Sequence, residues 1–158
     1  MNLLDPSRRG VLGALLLGPV LGAWAARAQG QTAPAAPSPI VQPSAPSKAA
    51  FLERARELRD AAVAAGDQPY GAVVVRNDVI VGQGRSEVVS ATDPTAHSEL
   101  MAVRDAARRL GTRSLSDCDM YSSATPCPMC QGALYWAGIR RVYTETTLEH
   151  GLAPKLAC

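Results

Sequence analysis

The chain reads as a layered α/β/α domain, a central sheet covered by helices, with extra segments ahead of it. Three observations lead there: an amphipathic stretch at residues 48–65, two valine-rich runs joined by Asn77-Asp78, and a later alternation of helix, strand, helix and strand signals. At 158 residues, with 47% apolar and 4% aromatic content, there is material for one modest core. No internal repeat is visible.

Residues 1–28 are set aside from the fold. Ser7-Arg8-Arg9-Gly10 precedes an apolar run over 11–26, and Ala26-Arg27-Ala28 supplies a small-residue cleavage site. The paired arginines point to the Tat export route, which carries folded proteins, and so to a periplasmic or secreted product that meets a membrane only during export. The apolar run is interrupted by Pro19 and falls short of the roughly 20 residues an uncleaved anchor needs. Because 1–28 hold three arginines against one aspartate, the full chain's +2 becomes zero in the remainder. A neutral mature chain has no overall pull on polynucleotides, so nucleic acid is not an expected partner. The clusters Arg108, Arg109, Arg113 and Arg140, Arg141 read as solvated helix or turn ends. Residues 29–47, mostly Ala, Ser, Gln and Pro, read as a linker whose Pro34, Pro37, Pro39, Pro43 and Pro46 prevent regular structure.

The domain proper is expected over 48–158. In its first helix, 48–65, Phe51, Ala55, Leu58, Ala62 and Ala65 recur at spacings of four and three, and Gly66-Asp67 end it. Runs at 70–76 and 79–83 form a hairpin whose near-continuous valines predict burial on both faces. After a polar loop over 84–92, Asp93 reads as an N-cap and Pro94 as the first residue of a second helix. That helix carries Ala96, Leu100, Val103, Ala107 and Leu110 on one face and stops near Gly111. A strand at 119–123, a third helix at 127–137 ended by Gly138, and a last strand at 140–144 complete the pattern, while 145–158 shows no clear period.

The chemistry is concentrated in Pro126-Cys127-Pro128-Met129-Cys130. Two thiols three positions apart at a helix start share nearly one face, and the unpaired amides of the first turn are expected to lower thiol pKa. Upstream, His97-Ser98-Glu99 places an imidazole and a carboxylate two apart at another helix start. Residues two apart on a helix differ by about 200° in direction, so the pair converges only if both lie in the first turn. His97, Cys127 and Cys130 as zinc ligands leave one coordination position for water, the arrangement of a catalytic site. Zinc brings bound water to a pKa near ~7, and Glu99 is placed to take its proton. A lone Cys-x-x-Cys is more often structural zinc or redox, but a closed four-ligand site would need His150, Cys118 or Cys158 as the fourth ligand, and none lies in a matching motif. In an oxidising compartment Cys127 and Cys130 would tend to oxidise unless zinc already held them.

His-x-Glu followed by Pro-Cys-x-x-Cys resembles the cytidine-deaminase-like zinc deaminases. Over about residues 51–142, the stretches Gln68-Pro69-Tyr70-Gly71-Ala72, Asp93-Pro94-Thr95-Ala96-His97 and Ala133-Leu134-Tyr135-Trp136 are most similar to bacterial guanine deaminases and tRNA adenosine deaminases. The resemblance implies Zn2+ on His97, Cys127 and Cys130, a zinc hydroxide attacking the amine-bearing carbon, Glu99 as proton shuttle, and release of ammonia. It implies a nucleobase or nucleoside substrate, contacted by the Ser98 amide and Trp136, and a homodimer. Trp136 has a second reading, as an aromatic filling the buried face of the third helix. Two substrate-side positions depart from the family: Thr125 stands where a glutamate is usual, its backbone carbonyl still available, and Ser86 replaces a substrate-contacting asparagine with a shorter side chain. The C-terminus is shorter than in guanine deaminases, whose tail helps close the pocket, so the pocket here is expected to be open or closed by a partner subunit. A zinc-stabilised binding domain without catalysis is the rival reading; tRNA deamination fits poorly with zero mature charge and export.

Overall fold

The computed structural model describes residues 37–144; residues 1–36, where an export signal and the start of a linker are expected, and the segment 145–158, with His150 and Cys158, lie outside the described residues. Helix α1, Lys48–Ala64, opens on Ser47, whose hydroxyl accepts from the Ala50 amide at 3.1 Å, and buries Phe51, Ala55, Leu58 and Ala62. Gly66 at φ 75° turns the chain out of it. Strands β1, Gly71–Arg76, and β2, Val79–Arg85, are joined by Asn77 and Asp78 at φ 50° and 61°, the left-handed pair that a two-residue hairpin turn requires. Then come α2, Ser98–Leu110, β3, Asp119–Ser122, α3, Pro128–Ala137, and β4, Arg141–Thr144.

The sheet order is β2-β1-β3-β4, with β1 antiparallel to both neighbours and β3 parallel to β4 across the α3 crossover. Alternate residues of β1 serve opposite layers. Ala72 and Val74 pack with Ala102, Ala106 and Leu134 from α2 and α3, whereas Val73 and Val75 pack with Phe51 and Leu58 from α1. The domain is therefore three-layered, as the sequence predicts. On the α1 side, Tyr121 stacks on Tyr143 with ring centroids 4.8 Å apart and meets Phe51 at 5.0 Å. Such pairs add about 0.5–1.5 kcal/mol each beyond area burial.

Three expectations change. β1 is buried on both faces, but β2 alternates between buried and partly exposed positions, because it is an edge strand of the sheet. The buried face of α2 is not the one marked by Leu100, Val103 and Leu110; it is Ser98, Glu99, Ala102, Asp105 and Ala106. The cause is glycine in β2. A Cβ at Gly84 would overlap the Ser98 carbonyl and the Ala102 amide, and one at Gly82 would sit 2.6 Å from the Ala106 amide nitrogen. Helix and strand thus approach backbone to backbone through small residues, which turns Ala102 and Ala106 inward and sets the N-terminal turn of α2 hard against the sheet. Leu110 and Val103 pack at the margin of the same core.

The third change concerns the linker. Its described part, residues 37–47, has no helix or strand, yet it is held against the sheet edge. The Gln42 side-chain amide donates to the Ile80 carbonyl at 2.8 Å and accepts from the Ile80 amide at 2.9 Å, imitating a peptide on the open edge of β2. Gln83 donates to the Pro39 carbonyl at 3.0 Å, and Ile40 packs on the α1-side core. An edge strand leaves donors and acceptors unpaired, and an amide side chain satisfies one of each.

Candidate metal centre and active site

The two halves of the site come from two helix starts. Asp93 does not cap α2: its carboxylate accepts from the Thr95 amide at 2.8 Å and hydroxyl at 2.7 Å, and the Ala96 amide donates to the Asp93 carbonyl at 3.0 Å. This side-chain turn competes with helix, so α2 begins at Ser98 rather than Pro94. His97 is its N-cap, extended at φ −68° and ψ 149°. The imidazole therefore leaves the chain before helical directions apply, and Glu99, second residue of the helix, can share its side. Cys127 is likewise the extended N-cap of α3 at φ −69° and ψ 167°, with Pro128 as first helical residue and Cys130 as third.

His97 Nδ1 lies 3.7 Å from the sulfur of Cys127 and 3.7 Å from that of Cys130, and ligand atoms of the three residues fall within 4.8 Å of one another. Tetrahedral nitrogen and sulfur ligands at ~2.0 and ~2.3 Å from one zinc stand about 3.5 Å apart, so the donor set and its spacing fit zinc. Cys118 does not join this group; its buried thiol donates to Asp117 at 3.4 Å, and burial raises its pKa to about 11.

The expected lowering of thiol pKa does not hold for Cys130. Burial pushes it well above the usual thiol range, and the neighbouring Glu99 and Cys127 push the same way. A cation among the donors offsets that cost, since thiolate is the ligating form.

Glu99 is 5% exposed. Its Oε2 accepts from the Ser98 hydroxyl at 3.1 Å and lies 3.5 Å from the Cys130 sulfur, while Oε1 accepts from the Ser122 hydroxyl at 3.2 Å. Ser122 is a site residue that motif reading misses. The available signal is strand alternation: Ser122 is two residues from the buried Met120, so a serine at the end of β3 falls on the face covered by α2 and α3.

The remaining sequence candidates are placed as follows. Ser98 is fully buried, and as first residue of α2 its amide has no partner one turn back. Thr125 is exposed, immediately before Pro126. Trp136 is 67% exposed, its ring tilted against Tyr135 at 5.3 Å, so it does not fill the buried face of α3; Cys130, Leu134 and Ala137 do. Ser86 is 1% exposed, and its hydroxyl donates to Asp67 at 2.8 Å, which commits it to the protein interior.

Comparison with known proteins agrees with this geometry. Residues 46–146 match the sequence profile of the cytidine and deoxycytidylate deaminase zinc-binding region. The chain is 46% identical over 94 residues to guanine deaminase of Bacillus subtilis, covering 59% of this chain and 60% of that protein. It is 35% identical over 102 residues to the tRNA-specific adenosine deaminase of Aquifex aeolicus, covering 64% and 68%. The crystal structure of the Bacillus subtilis guanine deaminase superposes with a TM-score of 0.61 at 43% identity, covering 62% of this chain and 63% of that one. The match thus spans somewhat under two thirds of the Bacillus relative's length.

Proposed function

The chain belongs to the cytidine and deoxycytidylate deaminase zinc-binding family, and from that premise we propose that it hydrolytically deaminates a small nitrogen heterocycle, guanine or another nucleobase or nucleoside. The observation that carries this reading is the buried Glu99 carboxylate, held by two serine hydroxyls 3.5 Å from the sulfur of a metal ligand. A site serving structure alone has no use for a carboxylate there, whose burial is costly without a task.

His97, Cys127 and Cys130 would hold the zinc, which supplies a Lewis acid able to make hydroxide available near neutral pH. Across the reaction water adds to the amine-bearing carbon, the carbon–nitrogen bond breaks, and a carbonyl and ammonia result. Glu99 takes the proton from water and delivers it to the departing nitrogen. Ser98 and Ser122 keep its two oxygens oriented through that exchange. Identity to the guanine deaminase is higher than to the tRNA enzyme, and the zero net charge after residue 28 adds no attraction to a polynucleotide.

The test is ammonia release from guanine, adenine, cytosine and their nucleosides by the zinc-loaded protein. Turnover of at least one is expected. A folded, zinc-loaded protein inert on all of them would instead favour the zinc-stabilised binding domain.

We further propose that the protein works outside the cytoplasm, on the strength of Ser7-Arg8-Arg9 ahead of a short apolar run. Changing Arg8 and Arg9 together to lysine should leave uncleaved precursor in the cytoplasm, read by fractionation and immunoblot; undiminished export of the double variant would remove the twin-arginine reading.

A further inference from the structure

Asp67 stands immediately after the glycine that ends α1 and is 9% exposed. Its carboxylate accepts five hydrogen bonds. Oδ1 takes the Gln68 amide at 2.8 Å and the Ser86 hydroxyl at 2.8 Å. Oδ2 takes the Val89 amide at 3.1 Å, the Ser90 amide at 2.9 Å and the Ser90 hydroxyl at 2.9 Å. All five donors are neutral, and four of them come from 86–90, the segment that leaves the end of β2. Burial alone would raise this carboxyl's pKa, but the donors from Ser90, Gln68 and Ser86 hold it well below the usual carboxylate range.

The segment so gathered is tied directly to the metal site. The Glu87 amide donates to the carbonyl of Ala96, the residue before His97, at 3.0 Å, and the Asp93 amide donates to the Val88 carbonyl at 3.2 Å. Within it, Ala91 donates to Glu87 at 2.9 Å and Thr92 sits at φ 51°. The Asp93 turn follows, and the His97 amide closes on the Thr95 carbonyl at 2.8 Å. A short route of hydrogen bonds thus joins the Asp67 carboxylate to the backbone of His97. The cysteine half of the site has no share in it, being carried by α3.

We propose that Asp67 is a positioning residue for the metal centre: by gathering the amides and hydroxyls of 86–90 onto one carboxylate, it sets the backbone from which His97 presents its imidazole. No motif contains it. The inference rests on the metal site and not on the deaminase reading, so its test needs no substrate.

Asparagine at 67 keeps the size of the side chain but puts an NH2 where one carboxylate oxygen stood. If the amide nitrogen takes the place of Oδ2 it meets three donors, and if it takes the place of Oδ1 it meets two. The full chain carrying Asp67→Asn should bind zinc roughly tenfold or more weakly, by competition with a chromophoric chelator, the scale on which supporting hydrogen bonds act on metal ligands. Amide hydrogen exchange at Glu87, Val89 and Ser90 should accelerate in parallel. Phe51→Leu, in the core on the opposite face of the sheet, is the control for general destabilisation and should leave zinc affinity within about twofold. If Asp67→Asn does not fold, Ser90→Ala removes one donor and should still weaken zinc about threefold. Unchanged affinity in the folded asparagine variant, or in Ser90→Ala when that variant must stand in, would overturn the proposal. So would an equal loss in Phe51→Leu, since the effect would then belong to the fold as a whole.

Discussion

Replacing Glu99 with glutamine is expected to lower kcat on any accepted heterocycle by about 10²–10⁴-fold while leaving about one zinc per chain, the range associated with losing general acid–base help. The glutamine carbonyl can still accept from one serine, and the side chain keeps the volume of the original at a position that is 5% exposed. What it cannot do is carry a proton. Of the hydroxyls of Ser98 at 3.1 Å and Ser122 at 3.2 Å, one would lose its acceptor to an NH2 group, so a modest fall in thermal stability should accompany the kinetic loss. Metal analysis and steady-state kinetics on the same preparation separate the two effects. Wild-type turnover in the glutamine variant would show that another group moves the proton.

Replacing Cys127 or Cys130 with serine should remove the metal. Zinc content is expected to fall from about one per chain to a small fraction, because a three-ligand site that loses one soft donor keeps only two protein ligands. The two variants should differ in the fold. Cys130 is completely buried beside Glu99, so its serine leaves a shorter, polar side chain in a packed interior and should lower Tm even without metal. Cys127 is partly exposed, and its variant should melt close to chelator-treated wild type. Elemental analysis together with melting curves, with and without chelator, reads both. Zinc held near one per chain after both cysteines are changed would refute the ligand assignment.

Much of this molecule is legible in its residues. The period of Phe51, Ala55, Leu58 and Ala62 marks α1, Asn77-Asp78 marks the hairpin, and Gly111 and Gly138 mark helix ends that do adopt the left-handed conformation, at φ 65° and 78°. His97, Glu99, Cys127 and Cys130 were identifiable because each combines a residue type with a spacing that the chemistry demands. Such signals are local. They depend on the next few residues and survive without knowledge of what packs against them.

Only the tertiary structure decided the rest, because it depends on partners distant in the chain. The inward face of α2 follows from Gly82 and Gly84 on another element, which admit alanine at closest approach and send the larger Leu110 and Val103 to the margin. The Asp93 side chain chose a turn over a helix cap, and that choice places His97 outside α2 and beside Glu99. Ser122 meets Glu99 across 23 positions, and Asp67 reaches Ser90 across 23 more, neither within any motif. Sequence by itself determined the fold class and the atoms that can bind a metal, since residue type and short spacing are enough for both. The orientation of those atoms came from backbone contacts and buried hydrogen bonds between separate elements, which exist only once the sheet and its helices have closed on one another.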